Sequence, residues 1–117
     1  MSERKRTVES YFEGFRTSDH ERILALLTDD VVWRIHGHRE LRGKDAFGGE
    51  IENEAFEGPP ELEVERMIEG DDAVVVPHRG RGHLSGGGAF EFAAVTVLSF
   101  DGELIAAVDS YVVPLSD

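Results

Sequence analysis

The chain has 117 residues, which fits one domain, and its 24 acidic against 12 basic residues give a formal net charge of −12. That charge repels nucleic-acid phosphates, and no apolar run approaches the ~18 residues of a membrane-spanning helix, so we expect neither nucleic acid nor a membrane as partner. The chain has no cysteine for disulfide or thiolate chemistry, its first residues lack the apolar block of a signal peptide, and we expect a cytoplasmic protein.

Two amphipathic helices are predicted at the start of the chain. Across Glu3–Arg16 the apolar residues recur at spacings of three and four, which is typical of a helix with one buried face. Ser18 or Asp19 can cap a second helix, which the pattern extends to about residues 28–30. The apolar stripe of the first helix consists of Val8, Tyr11, Phe12 and Phe15.

The rest of the chain predicts a strand, a third helix and then strands. Residues 31–36 are β-branched and aromatic, as in a strand, and residues 44–56 predict a helix that Gly48 and Gly49 weaken. Further on, apolar and polar residues alternate with a period of two. This order predicts an α+β fold, with three helices packed on one face of a bent, mostly antiparallel sheet. The later strands are predicted over residues 61–68, 73–84, 89–100 and 103–113.

Five stretches of the chain combine helix caps, turns and core positions: Tyr11–Phe15, Asp19–Trp33, Leu41–Phe47, Gly70–Val76 and Asp101–Ile105. Together they resemble the nuclear-transport-factor-2-like superfamily, the cone-shaped fold of SnoaL-like polyketide cyclases and ketosteroid isomerases. The resemblance covers nearly the whole chain and implies a single domain over residues 1–117 with an internal pocket. It implies no one activity, because the superfamily includes isomerases, hydrolases, cyclases and binding proteins.

The resemblance to steroid isomerases places one of that group's three functional residues in this chain. Their first-helix tyrosine matches Tyr11. The position of their first-strand aspartate falls at Ile35, and that of their later aspartic acid falls at Thr96. Because two acidic groups are replaced, steroid isomerisation by that mechanism is not expected.

The resemblance to limonene-epoxide hydrolases likewise places one acidic residue. Their last-strand aspartate matches Asp109, whereas the positions of their arginine and second aspartate fall at His78 and Gly80. Asp109 and the ionisable His78 are therefore the candidate polar pair.

Side-chain alternation assigns one face of the predicted sheet to the space under the helices. With the bulky apolar residues inward, His78, Thr96, Asp109 and Tyr111 share that face, and Tyr11 approaches from the first helix. An apolar cavity with a few convergent polar groups is typical of a small-molecule site. The predicted ligand-binding residues are Trp33, Ile35, Phe47, Ile51, Phe92, Thr96 and Tyr111.

We therefore expect a small apolar or amphipathic ligand, and two functions stay open. In one, a cofactor-free isomerase, cyclase or hydratase uses Asp109 as general base, with His78 as its partner and Tyr11 or Tyr111 as a hydrogen-bond donor to developing charge. In the other, the pocket belongs to a non-catalytic ligand-binding or dimerisation module, and Asp109 is a structural carboxylate.

The opposite face of the predicted sheet suggests a further partner. His36 falls on this face, away from the pocket, so it cannot complete a metal site there, and we expect neither a metal nor a cofactor. Ala93, Val95 and Val97 make the same face apolar, although no helix is predicted to cover it. A homodimer formed through this face is therefore expected.

Overall fold

Three helices and seven strands form an α+β fold in residues 2–52 and 55–115, the residues that the computed structural model describes. None of these helices is both long and apolar enough to cross a membrane. The helices are α1 (Glu3–Arg16), α2 (His20–Leu24) and α3 (Lys44–Ile51). The strands are β1 (Leu27–Ile35), β2 (Arg39–Arg42), β3 (Glu61–Val64), β4 (Ile68–Glu69), β5 (Ala73–His83), β6 (Ala89–Asp101) and β7 (Leu104–Pro114).

The strands form one mixed sheet in the order β2-β1-β7-β6-β5-β3, and β4 pairs with another part of β5. The predicted antiparallel succession of β5, β6 and β7 is confirmed. β1 lies beside β7 and runs parallel to it, and β2, which the sequence pattern does not reveal, extends the sheet beyond β1. β7 is thus an interior strand that joins the early and late parts of the chain.

The helix starts follow their capping signals. The Ser2 side chain accepts a hydrogen bond from the Lys5 amide at the start of α1, which spans the predicted range. Of the two candidate caps for α2, Asp19 accepts from the Arg22 amide, whereas Ser18 has a positive φ of 52° in the preceding turn. Each cap satisfies an amide that the first helical turn leaves without a partner.

Two helices end earlier than their apolar patterns predict. α2 has five residues and stops well before residues 28–30, because the chain passes almost directly into β1, where the buried Leu27 pairs with Ile105. α3 ends at its eighth residue, and the next residue is extended. The predicted continuation of α3 includes Asn53 and Glu54, which lie outside the described residues.

The hydrophobic core lies between the helices and one face of the sheet. Tyr11 on α1 is at its centre, with ring centroids 5.4 Å from Phe12, 5.0 Å from Phe15 and 6.4 Å from Phe47. Burial of such apolar side chains is the main favourable contribution to folding. The largest fully buried side chains are Val8, Ile23, Leu27, Val31, Phe47, Val74, Val76, Leu98, Ile105 and Val108.

A β-bulge in β7 changes which side chains face this core. Successive residues of β6 pair with Ala107 and then with Ile105, so Ala106 is an extra residue on β7. As a result, Ile105 and Val108 are both fully buried, although residues three apart in a regular strand face opposite sides. Beyond the bulge, the alternation of β7 is therefore reversed.

The predicted inward orientation of Asp109 and Tyr111 is wrong for this reason. Asp109 pairs with Val97 on the outer face of the sheet, and Tyr111 follows two residues later on the same face. The residue between them, Ser110, pairs with the buried Thr96 and faces the helices instead. A bulge of one residue thus transfers the candidate base to the opposite side of the sheet.

The backbone of β5 leaves room for an aromatic ring at Gly80. A Cβ atom built there would lie 2.2 Å from Cζ of Phe92, so we expect Gly80→Ala to displace the ring and lower the free energy of unfolding by about 1–3 kcal/mol. Gly49→Ala is the control: it lies in α3, and beyond its chain neighbours and the nearby helix backbone no atom of the described residues is within 4 Å of where its Cβ would lie. This variant should stabilise the protein by up to about 1 kcal/mol. Urea denaturation of both variants measures the difference, and equal effects would contradict the packing.

Candidate functional site

A cavity of about 260 Å³ lies between the helices and the inner face of the sheet. Its walls come from the end of α1, the end of α3, the segment before β3, and the neighbouring parts of β5, β6 and β7. Glu52, Gly58 and Pro59 are exposed at its rim. Its lining residues are Phe15, Ser18, Glu50, Ile51, Glu52, Phe56, Gly58, Pro59, Pro60, Gly82, Phe90, Phe92 and Val112.

Two glycines on β5 create the space that the aromatic walls occupy. Gly80 faces Phe92, and Gly82 faces Phe90 across the strand pair. A Cβ on Gly82 would lie 2.7 Å from the ring of Phe56, just as one on Gly80 would meet Phe92. Glycine in a strand interior often marks such a close approach. The absence of a side chain at these two glycines thus leaves room for two aromatic rings.

The structure places two of the seven predicted ligand-binding residues, Ile51 and Phe92, on the cavity wall. Phe47 is buried in the core with its ring centroid 4.5 Å from that of Trp33. Trp33 Nε1 donates a hydrogen bond to Ser110 Oγ at 3.0 Å. The other three predicted residues also lie away from the lining: Ile35 is half-buried on β1, Thr96 is buried on β6, and Tyr111 is on the outer face.

His78 is buried next to the cavity without being part of its wall. Its Nε2 is hydrogen-bonded to Thr96 Oγ1 at 2.9 Å, its Nδ1 has no partner among the described residues, and the Phe12 ring lies 4.9 Å away. Burial, with a smaller contribution from the charge of Arg16, lowers the pKa of His78 to about 4. The imidazole is therefore neutral near pH 7. Gly80, which contacts Phe92 of the cavity wall, is the next inward-facing residue along β5. His78 therefore lies one inward-facing position away from this part of the wall.

Tyr11 lies entirely within the aromatic core, because it belongs to the buried apolar stripe of α1. Burial raises the pKa of its phenol, so the side chain stays protonated and can donate a hydrogen bond but cannot act as a base. It is not among the residues that line the cavity.

Asp109 belongs to a charged cluster on the outer face. Both carboxylate oxygens lie 3.3 Å from Arg34 Nη1, and Oδ1 lies 2.9 Å from His36 Nε2. The His36 ring stacks on Tyr111 at 4.3 Å, and Arg34 also contacts Glu40 at 3.5 Å. The prediction that His36 points away from the pocket is confirmed, and Asp109 lies with it there. Asp109 therefore cannot form an acid–base pair with His78 across the cavity.

Much of the lining was not predicted from the sequence, including Phe15, Phe56 and the two carboxylates Glu50 and Glu52. One available signal was the two glycines of β5, which are spaced like two phenylalanines on the following strand. Among residues 2–52 and 55–115, no group of three His, Asp or Glu side chains is arranged to hold a metal ion.

The lowered pKa of His78 predicts a pH dependence of stability. Between its ordinary value of 6.5 and about 4, the unfolded chain binds a proton at His78 that the folded protein does not. Acidification from pH 7 to pH 5 should therefore lower the free energy of unfolding by about 2 kcal/mol through this residue. Urea denaturation at both pH values checks this: His78→Gln should remove that part of the loss, and an unchanged loss in the variant would contradict it.

Comparison with known families identifies a SnoaL-like domain over residues 8–108. No curated protein sequence matches the chain. The resemblance read from the helix, turn and strand signals is thus confirmed, because the matched region contains nearly all of them.

Solved structures share the fold at low sequence identity. A ketosteroid-isomerase-like protein from Catenulispora acidiphila, in complex with trimethylamine, is 18% identical, with a TM-score of 0.81 over 90% of this chain and 83% of that one. An LEH-like epoxide hydrolase from Mycobacterium tuberculosis is 20% identical, with a TM-score of 0.83 over 95% and 83%. Another M. tuberculosis protein, in complex with estradiol-17β-hemisuccinate, is 21% identical, with a TM-score of 0.80 over 95% and 94%. These structures show the shared α+β fold, and the match over residues 8–108 shows that the chain belongs to the SnoaL-like domain family.

Proposed function

We propose that this protein binds a small molecule with an apolar body in the cavity beneath its helices. The observation that carries the proposal is the cavity itself, of about 260 Å³, with four phenylalanine rings in its walls. Aromatic side chains supply large apolar contact areas, and concave apolar sites are where proteins usually bind small ligands. Among the structural relatives, one is in complex with trimethylamine and another with an estradiol derivative, which supports a binding role.

The non-catalytic form of this function fits the polar groups better than an enzyme based on Asp109. The Asp109 carboxylate is engaged by Arg34 and His36 on the outer face. Tyr11 stays protonated within the core, and Thr96 bonds to a histidine. None of these groups lines the cavity, so a bound molecule would meet mainly aromatic and aliphatic walls.

One observation favours the alternative, a cofactor-free acid–base enzyme. His78 is neutral near pH 7, and its Nδ1 has no partner in the described part of the chain, so this nitrogen is available to a ligand that reaches it. Because His78 is buried, with the Phe12 and Phe92 ring centroids 4.9 Å and 6.3 Å from the imidazole, such a ligand would have to displace a neighbouring side chain. In this alternative, His78 is the base, and Asp109 has no part in the reaction.

Blocking the cavity tests the binding proposal. We expect a neutral apolar dye such as Nile red to bind the wild-type protein, and Val112→Trp to weaken binding at least about tenfold, because Val112 lines the cavity and the indole would occupy it. Leu104→Trp is the matched control, since Leu104 is similarly exposed but lies outside the lining, and it should bind like the wild type. Dye fluorescence titration gives the affinities. Absence of binding, or equal affinity in all three proteins, would refute the proposal.

We also propose that the protein self-associates through the outer face of the sheet. Val95, Tyr111 and Val113 lie on neighbouring strands of this face with exposed fractions of 37%, 46% and 60%. Large apolar side chains exposed side by side favour a protein partner, and a second copy presents the same surface.

A charge placed on this face should prevent self-association. We expect Val95→Glu to convert a dimer into a monomer, since two buried carboxylates would face an apolar surface without partners. Leu104→Glu, at the exposed first residue of β7, should leave the dimer intact. Light scattering coupled to size-exclusion chromatography measures the mass, and a monomeric wild-type protein would overturn this proposal.

A further inference from the structure

We propose that the ligand of this cavity is an organic cation, an ammonium group carried on an apolar body. This inference rests on the proposed function, and it deepens it by naming the charge of the ligand. It is carried by the distribution of charge around the cavity and by the aromatic character of its walls.

The charged residues that line the cavity are all acidic. Glu50 and Glu52 line it, and no lysine, arginine or histidine does so among the described residues. Both carboxylates belong to the last turn of α3 or follow it directly, and that turn contains no basic residue. The carbonyl groups at a helix C-terminus add a partial negative charge. A cation at this edge would therefore be stabilised mainly by Glu52 and by the helix C-terminus, and an anion would be repelled by both.

The two carboxylates differ in the charge that remains available. Glu50 is ion-paired with Arg39 at 2.6 Å, and its side chain is only 15% exposed, so much of its charge is compensated within the protein. Glu52 lies at the rim with its side chain 65% exposed, and its neighbour is His20 at 2.6 Å. Glu52 is therefore the residue that an incoming cation would meet first, and its carboxylate has room for a second partner.

The walls add an attraction of a different kind. Phe15, Phe56, Phe90 and Phe92 all contribute to the lining. The face of an aromatic ring carries negative electrostatic potential, so an ammonium group held close to such a ring is stabilised by a cation–π interaction, more strongly where water is excluded. The same rings pack against the apolar body of the ligand. A formal net charge of −12 further concentrates cations around the whole molecule.

Three probes of the same carbon skeleton test the inference: 3-phenylpropylamine, 3-phenylpropan-1-ol and 3-phenylpropanoate. Near pH 7 they are a cation, a neutral molecule and an anion. Calorimetric or NMR titration of the wild-type protein should give the tightest binding for the amine, by about five- to tenfold over the alcohol, and the weakest for the carboxylate. The preference for the amine should decrease as salt is added, because the Glu52 charge is exposed to solvent.

A charge-matched pair of variants locates the effect. Glu52→Gln should remove most of the preference for the amine over the alcohol, because only the amine carries a charge that the Glu52 carboxylate stabilises. The part of the preference that comes from the phenylalanine rings should remain. Glu9→Gln removes the same charge from an exposed position on α1, outside the cavity lining, and should leave the amine preference intact. An equal loss in both variants would assign the preference to the net charge of the protein and overturn the role of Glu52.

The outcomes separate this inference from the proposed function. If amine and alcohol bind equally, and Val112→Trp abolishes both, the cavity binds small molecules and the charge preference is refuted. Tightest binding of the carboxylate also refutes it. If none of the three probes binds, the cation inference fails, and the Nile red titration decides the proposed function separately.

Discussion

The burial of both Ile105 and Val108 is the constraint on which the arrangement of the sheet depends. Both side chains face the helices and are fully buried, and only the extra residue Ala106 allows this within one strand. Without the bulge, one of the two would face outward and lose contacts worth about 2 kcal/mol or more. Satisfying the core at both positions sets the facing of the rest of β7. As a result, Asp109 lies in a charged cluster on the outer face, whereas Val112 lines the aromatic cavity on the inner face.

Much of the fold could be predicted from local patterns in the chain. The stripe of α1, the cap at Asp19 and the alternation in β5 and β6 each depend on neighbours in sequence, so a single sequence reveals them. The early end of α2 and the strand β2 depend instead on pairing with distant residues. Leu27 has the apolar character of a helix face, yet it is buried in β1 beside Ile105, and no local signal distinguishes the two outcomes.

The candidate site was less predictable, for a physical reason. The assignment of facing by alternation assumes an unbroken period of two, and a bulge of one residue exchanges the faces beyond it. The assignment therefore holds for His78 and Thr96, which precede the bulge, and is wrong for Asp109 and Tyr111, which follow it. The cavity walls depended on glycines of β5 that leave room for two aromatic rings, Phe92 on β6 and Phe56 before β3. The spacing of the glycines is visible in the sequence, but which rings they contact depends on distant parts of the chain.

The parallel pairing of β1 with β7 also bears on how the protein folds. Arg34 and Asp109, neighbours across these strands, are 75 positions apart in the chain. Bringing such distant segments together costs loop-closure entropy before any contact compensates for it, and proteins rich in distant contacts fold slowly. During synthesis, the edge of β1 that pairs with β7 stays unpaired until nearly the whole domain has left the ribosome. The acidic residues Asp29 and Asp30 on β1 are exposed. Negative charges on an unpaired strand disfavour its pairing with other chains.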